Sequence, residues 1–126
     1  MAGKLRAFVV EDSPLILENL RGMLEELGSV EVVASAADQS EACAWMDGRT
    51  NGCDVAIIDM FLASGNGLGV LQHMVSYSAP PARVVLTNYA TPDMRSRCKE
   101  LGAEAVFDKS TEIQELVDWL ATQVRH

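Results

Sequence analysis

The sequence has 126 residues, and its 10 lysines and arginines against 18 aspartates and glutamates give a formal net charge of -8. Hydrophobic residues at 48% and charged residues at 22% are typical of a single globular domain and exclude wholesale disorder. A negative field repels phosphate backbones and anionic lipid headgroups. We therefore expect neither nucleic acid nor a membrane surface as a direct partner.

Export and metal-cysteine chemistry are also disfavoured. The apolar run after Lys4 and Arg6 ends at Glu11, which is too early for a secretory signal. Apolar stretches elsewhere fall far short of the ~18 residues that cross a bilayer. An odd number of cysteines without CxxC spacing predicts reduced, buried thiols rather than disulfides or zinc ligands; they are Cys43, Cys53 and Cys98. We expect a cytoplasmic protein.

Five short β-type runs alternate with five helical stretches along the chain. The predicted strands are residues 5–10, 30–34, 55–58, 83–86 and 105–107. The third strand and residues 84–86 of the fourth are continuously apolar, as expected for parallel strands that helices cover on both faces. The order βαβαβαβαβα predicts an α/β fold with a parallel sheet. With no linker, repeat or low-complexity tract, residues 1–126 are predicted to form one domain.

The helices carry start signals and apolar stripes. A hydroxyl residue followed by proline, or a capping residue with Glu or Gln three positions later, marks a helix start. These pairs are Ser13-Pro14, Thr91-Pro92, Asp38 with Glu41, and Thr111 with Gln114. Apolar residues at a period near 3.6 predict one buried stripe on the first and the last helix. The stripes are Ile16, Leu20, Met23 and Leu27, and Ile113, Leu116, Val117, Leu120 and Val124.

Polar residues end four of the predicted strands. The functional crevice of an open parallel sheet lies beyond the carboxyl ends of its strands, so these side chains are expected to meet there. They are Glu11-Asp12, Asp59, Thr87 and Asp108-Lys109. Each of these residues also has a purely structural explanation when it is considered alone. Acidic residues often start turns, a threonine can cap a helix, and a lysine is usually solvated. Their combination at one edge favours a functional site.

The charges at this edge indicate a cation. Carboxylates after the first and third strands repel one another unless Lys109 or a metal ion neutralises them. Mg²⁺ (or Mn²⁺) prefers oxygen ligands and commonly pairs a few carboxylates with a phosphoryl oxygen. Such a site suits phosphoryl transfer, and Asp59 could serve as the nucleophile because carboxylates form aspartyl-phosphates.

These residues resemble the receiver domain of two-component response regulators over essentially the whole chain. The matching segments are residues 8–13 (FVVEDS), 56–59 (AIID), 84–87 (VVLT) and 107–109 (FDK). The resemblance implies a flavodoxin-like doubly wound sheet of five parallel strands with helices on both faces. It also implies that Asp59 accepts a phosphoryl group from a phosphohistidine on a sensor histidine kinase or a histidine phosphotransfer protein.

The resemblance further assigns roles to the other site residues. Asp12 and Asp59 would hold Mg²⁺ directly together with the backbone carbonyl of Phe61, and Glu11 would act through water. The Thr87 hydroxyl would bind one phosphoryl oxygen. Lys109 would pair with another and neutralise charge that grows during transfer.

Val106 and Ser110 depart from the family's usual residues, and Phe61 and Tyr89 bear on the lifetime of the phosphorylated state. Val106 stands where receivers usually have a switch aromatic, and Phe107, one residue later, is expected on the other face of its strand. Tyr89 is an alternative switch residue. Ser110 stands where receivers often have a proline after a cis bond, so the Lys109-Ser110 bond is expected to be trans. The bulky Phe61 and Tyr89 flank the route of attacking water in receivers, which suggests that they prolong the phosphorylated state.

The leading interpretation is a stand-alone phospho-acceptor that signals through a downstream protein and catalyses only its own modification. Two alternatives stay open: a receiver excised from a longer DNA-binding regulator or hybrid kinase, and a receiver-like interaction module that does not need phosphate. The resemblance is also compatible with a homodimer, since receivers commonly self-associate through the fourth helix, fifth strand and fifth helix. A haloacid-dehalogenase-like phosphatase is disfavoured because Phe61 replaces its second acid, and a flavin binder because Glu11 and Asp12 would repel its phosphate.

Overall fold

The described part of the chain alternates strands with helices, as predicted. The computed structural model describes residues 4–27, 29–48, 52–77 and 80–123. The strands are β1 (Leu5–Val10), β2 (Val30–Ala36), β3 (Val55–Asp59), β4 (Ala82–Thr87) and β5 (Ala105–Asp108). The helices are α1 (Pro14–Glu26), α2 (Gln39–Gly48), α3 (Gly67–Met74), α4 (Pro92–Glu100) and α5 (Ile113–Gln123). All five predicted strands are confirmed, and the last four extend one or two residues beyond their predicted ends.

The strands form one parallel sheet in the order β2-β1-β3-β4-β5. Connections run outward from the centre in both directions, so the order of the strands reverses between β1 and β3. A reversal of this kind opens a crevice at the carboxyl ends of the two strands. Glu11, Asp12 and Asp59 come from these two ends.

Helices cover both faces of the sheet, and β1 shows how the sequence divides between them. Phe8 and Val10 face a core that includes buried residues of α2, α3 and α4. Ala7 and Val9 face a second core with α1 and α5. Because successive strand residues point to opposite faces, a continuously apolar strand fills both cores. The flavodoxin-like α/β fold is therefore confirmed.

The structure corrects the apolar stripe predicted for α1. Leu20 and Leu24 are buried, and Leu17 packs against them, whereas Ile16 and Leu27 are exposed. Apolar residues lie on more than one side of this helix, so periodicity alone could not select the side that meets the sheet. The stripe of α5 is confirmed at Leu116, Val117 and Leu120; Val124 lies outside the described residues.

Three of the four predicted helix starts are confirmed. The side chains of Ser13, Thr91 and Asp38 each accept the backbone N–H of the residue three positions later. The Thr111 cap is wrong, because α5 begins at Ile113 and the Gln114 amide donates to Asp118 instead. Asp108 explains the difference. Its carboxylate accepts the N–H groups of Ser110 and Thr111 and holds these residues in a turn before the helix.

The burial predicted for the three cysteines is confirmed in part. Cys98 is buried as predicted, whereas Cys43 and Cys53 are half-buried; no disulfide joins these three described residues. Met60, directly after β3, is 1% exposed and belongs to the core beneath α2–α4. Within the described ranges, every helix is too short or too polar to span a bilayer.

Candidate functional site

A lysine and two carboxylates from three strand ends meet at the carboxyl edge of the sheet. Lys109 follows β5 directly, and its Nζ atom lies 2.7 Å from Glu11 Oε1 and 2.9 Å from Asp59 Oδ2. Glu11 follows β1 and Asp59 is the last residue of β3. Residues separated by about fifty positions in the sequence therefore form one bridged ion cluster.

Asp12 completes an acidic cluster at the same place. One carboxylate oxygen from each of Glu11, Asp12 and Asp59 lies within 4.8 Å of the other two. Glu11 and Asp59 are 4% and 6% exposed, whereas Asp12 is half-buried. Lys109 supplies one positive charge against three carboxylates, so the cluster retains an excess of negative charge. Three oxygen donors with this excess fit a hard divalent cation such as Mg²⁺.

Burial and ion pairing act in opposite directions on the charged groups. Burial raises the pKa of Glu11, while its hydrogen bond with Lys109 partly opposes that rise. Burial acts to lower the pKa of Lys109, but its hydrogen bonds with Glu11 and Asp59 prevail, and the pKa lies above the usual range. The ammonium is thus held in its charged form by its two partners.

Local backbone bonds fix the orientation of the carboxylates. The Ser13 N–H donates to Glu11 Oε2 at 3.1 Å, and the Phe61 N–H donates to Asp59 Oδ1 at 3.3 Å. Asp59 therefore has one oxygen on the backbone of its own loop and the other on Lys109. This double contact leaves the side chain little freedom to rotate.

Thr87 lies beside this cluster at the end of β4. Its side chain is fully buried, and its hydroxyl oxygen accepts the Tyr89 N–H at 3.1 Å. Its backbone carbonyl accepts the Lys109 N–H at 2.8 Å. A threonine hydroxyl is both donor and acceptor, so this group can also donate a hydrogen bond.

A family model matches nearly the whole of this chain. The response regulator receiver domain aligns with residues 7–121. The chain belongs to this receiver family.

Solved receiver domains share the fold throughout. The signal receiver domain of the putative response regulator NarL from Mycobacterium tuberculosis is 26% identical, with a TM-score of 0.84 and 95% of each chain covered. A LuxR-family two-component response regulator from Aurantimonas sp. SI85-9A1 is 25% identical, with a TM-score of 0.86 over 95% of this chain and 84% of that one.

Curated relatives are longer than this receiver domain. Response regulator UvrY of Escherichia coli is 26% identical over 113 residues, which are 90% of this chain and 51% of UvrY. Transcriptional regulatory protein PdtaR of Mycobacterium tuberculosis is 30% identical over 112 residues, which are 89% of this chain and 53% of PdtaR. The receiver domain thus spans about half the length of the curated relatives it matches.

Val106, at the expected switch position, and Phe107, one residue later, lie on opposite faces of the receiver sheet, as predicted. Val106 is buried in the core beneath α2–α4. Phe107 packs in the other core, with its ring centroid 6.5 Å from that of Trp119. The Lys109-Ser110 bond is trans, because the described residues contain no cis peptide. Asp108, which also ends β5, is engaged in its own turn and does not join the acidic cluster.

Phe61 and Tyr89 form an exposed aromatic pair. Phe61 is 50% exposed and Tyr89 is 62% exposed, and their ring centroids lie 4.9 Å apart in an edge-to-face arrangement. Phe61 lies two residues after Asp59, and Tyr89 lies two residues after Thr87. The pair therefore joins the two loops that flank the candidate phosphorylation site.

Sequence reasoning missed Arg95, which links three segments near β5. Its guanidinium donates to the carbonyl of Ala90 at 2.9 Å, to the carbonyl of Val106 at 2.7 Å and to Glu112 Oε1 at 2.7 Å. The same Glu112 oxygen accepts the Asp108 N–H. An arginine on a polar helix is normally read as solvated, so the sequence carries no clear signal for this link between α4, β5 and the start of α5.

Glu112→Gln is expected to lower the melting temperature at pH 7 by roughly a few degrees. The pKa of Glu112 lies below its ordinary value of 4.5. The main cause is the hydrogen bond from Arg95, and the hydrogen bond from the Asp108 N–H contributes less. A carboxylate whose pKa is lower in the folded state than in the unfolded state stabilises the fold at pH values above the unfolded-state pKa. This stabilisation is lost as the pH falls through the folded-state pKa. The difference between variant and wild type should therefore shrink below pH 4.5.

Thermal unfolding from pH 7 to pH 3 measures this difference. Both side chains of the pair are about one-third exposed, which keeps the effect small. Glu115→Gln, on the exposed side of α5, is the matched control and should show no comparable loss. A difference for Glu112→Gln that stays constant over this pH range would contradict the ion-pair explanation.

Proposed function

We propose that this receiver domain accepts a phosphoryl group on Asp59 from a phosphohistidine and relays the signal through contacts with another protein. The contact of Lys109 with both Glu11 and Asp59, beside Asp12, carries the proposal. It provides a nucleophilic carboxylate, a fixed ammonium and oxygen donors for a divalent cation at one sheet edge.

In the proposed reaction, an Asp59 carboxylate oxygen attacks the phosphorus while the bond to the donor histidine nitrogen breaks. The nitrogen keeps the electron pair of that bond. Lys109 neutralises negative charge on one phosphoryl oxygen, and the Thr87 hydroxyl donates to another. Such positioning and charge neutralisation account for most of the catalysis in phosphoryl transfer.

The metal would complete this arrangement. Asp12, Asp59 and the Phe61 carbonyl would hold Mg²⁺ (or Mn²⁺), and Glu11 would contribute through water. When bound, the ion would supply positive charge next to the phosphoryl oxygens. The half-buried Asp12, outside the Lys109 bridge, is the carboxylate most accessible to an incoming ion.

An apolar groove next to the site suits the phosphodonor. The groove has a volume of about 300 Å³, and its lining includes Ile16, Met23 and Ile113 together with Lys109 and Asn88. Because Lys109 belongs to both the groove and the ion cluster, a protein seated there is close to Asp59. We infer that the donor is a sensor kinase or a histidine phosphotransfer protein that places the apolar side of a helix in this groove.

The test is uptake of a phosphoryl group from acetyl phosphate in the presence of Mg²⁺, followed by intact mass. Acetyl phosphate needs no docking surface, so it tests the acceptor chemistry separately from the choice of protein donor. Uptake supports the proposal, and its absence would instead favour a receiver-like interaction module that does not need phosphate.

The double variant Phe61→Asn, Tyr89→Glu is expected to release phosphate about two to ten times faster than the wild type. If the ring pair covers the path of water, the two rings must separate before water reaches the phosphoryl group. Their contact is worth about 0.5–1.5 kcal/mol, and the double variant removes this contribution to the barrier for hydrolysis. The measurement is phosphate release from the protein after removal of the donor. Val75→Asn, a 57% exposed apolar residue just after α3, is the control. Equal release rates for the double variant and the wild type would reject shielding.

A further inference from the structure

Gln39, the first residue of α2, contacts the loop between β3 and α3 through both its backbone and its side chain. Its N–H donates to the Ser64 carbonyl at 3.2 Å. Its Oε1 atom accepts the Asn66 N–H at 3.0 Å. Gln39 therefore connects α2 to the loop that follows Asp59 through two hydrogen bonds.

Two glycines make room for this side chain. A Cβ atom on Gly65 would overlap Gln39 Cβ, and a Cβ atom on Gly69 would overlap the Gln39 amide. Gly65 also has φ +75, a conformation that favours glycine. Gln39 thus lies in a slot that the absence of two side chains creates.

The contact continues from Gln39 toward Asp59. Asn66 pairs with Phe61 as an isolated antiparallel bridge, and the Gly67 N–H donates to the Met60 carbonyl at 2.9 Å. Phe61 in turn donates its N–H to Asp59. The position of the Phe61 backbone beside the acidic cluster consequently depends on how Asn66 is held.

We propose that Gln39 is a positioning residue for the candidate metal site. It holds Asn66, which keeps the Phe61 backbone in place beside Asp59 and so sets the affinity of the cluster for Mg²⁺. This role rests on the proposed function, in which Phe61 and Asp59 share the ion. A residue with a purely structural role would change the stability of the fold and leave Mg²⁺ affinity unchanged.

The first test is Mg²⁺ titration of Gln39→Ala and Gln39→Glu by calorimetry. Alanine removes the acceptor for the Asn66 N–H, a loss that corresponds to about fivefold weaker Mg²⁺ binding. Glutamate keeps an acceptor oxygen at the same reach and should bind Mg²⁺ as tightly as the wild type. Equal affinities for the alanine variant and the wild type, or equal losses in both variants, would overturn the positioning role.

The second test is Gly69→Ala, alone and combined with Gln39→Ala. The added methyl group displaces the Gln39 amide from Asn66, so Gly69→Ala should weaken Mg²⁺ binding like Gln39→Ala, and the double variant should show no further loss. The melting temperature should fall in Gly69→Ala but rise when the same change is made in Gln39→Ala, because alanine is a better helix former than glycine. A fall in both backgrounds would overturn the proposed contact.

These outcomes separate this proposal from the proposed function. If the wild type binds Mg²⁺ and accepts phosphate but Gln39→Ala is unchanged in both, only the positioning role is wrong. If the wild type binds no Mg²⁺, both are wrong, whatever the Gly69 variants show about packing.

Discussion

Lys109→Met is expected to destabilise the fold by about 3 kcal/mol and to slow phosphoryl acceptance by about a hundredfold or more. The Lys109 side chain is 11% exposed and pairs with two carboxylates that are themselves nearly buried. Removal of one partner from a buried ion pair leaves uncompensated charge, which costs about 3–5 kcal/mol. We take the lower end of this range because Asp12 is partly open to water.

Chemical denaturation and acceptance kinetics measure these two effects. Methionine keeps the apolar length of the side chain, so the loss reports the charge rather than a cavity. Mg²⁺ should restore part of the stability of Lys109→Met, since it would neutralise the same carboxylates. Lys99→Met, on the exposed side of α4, is the control and should behave as wild type. Unchanged stability of Lys109→Met in the absence of Mg²⁺ would contradict the ion-cluster account.

Asp59→Asn is expected to abolish phosphoryl acceptance completely. An amide oxygen is a poor nucleophile and carries no charge to attract the metal. Stability should not fall, because the variant keeps the Glu11 pair with Lys109 and removes repulsion among the three carboxylates. Its stabilisation by Mg²⁺ should be weaker than that of the wild type. Thermal unfolding with and without Mg²⁺ measures both effects.

Asp108→Asn provides the matched control for this loss. Asp108 also ends a strand at the carboxyl edge, but its side chain accepts the N–H groups of Ser110 and Thr111 in its own turn. Its variant should accept phosphate as the wild type does. Loss of acceptance in Asp108→Asn but not in Asp59→Asn would reverse the assignment made from the geometry.

The sequence predicted the strands and the site edge well because both depend on local patterns. Continuous apolar runs indicate strands that are buried on both faces, and the residues directly after them must lie at one edge of a parallel sheet. The pattern therefore places Glu11, Asp12, Asp59 and Lys109 at one edge, where the structure brings them together. It also placed Val106 and Phe107 on opposite faces, since the strand period is two.

Contacts between elements distant in the sequence were not predictable in the same way. Arg95 and Gln39 are polar residues on helices, and nothing local distinguishes them from solvated side chains. Their contacts arise from what the tertiary fold places opposite them: Glu112 and two carbonyls for Arg95, and the slot beside Gly65 and Gly69 for Gln39. The side of α1 that meets the sheet was missed for a different reason, because apolar residues lie on more than one side of that helix.

The most direct test of the account is the intact mass of the wild type after incubation with acetyl phosphate and Mg²⁺, beside Asp59→Asn under the same conditions. The account predicts a gain of one phosphoryl group in the wild type, its loss when the metal is chelated, and no gain in the variant. No gain in the wild type, or an equal gain in Asp59→Asn, would contradict the assignment of Asp59 as the phospho-acceptor.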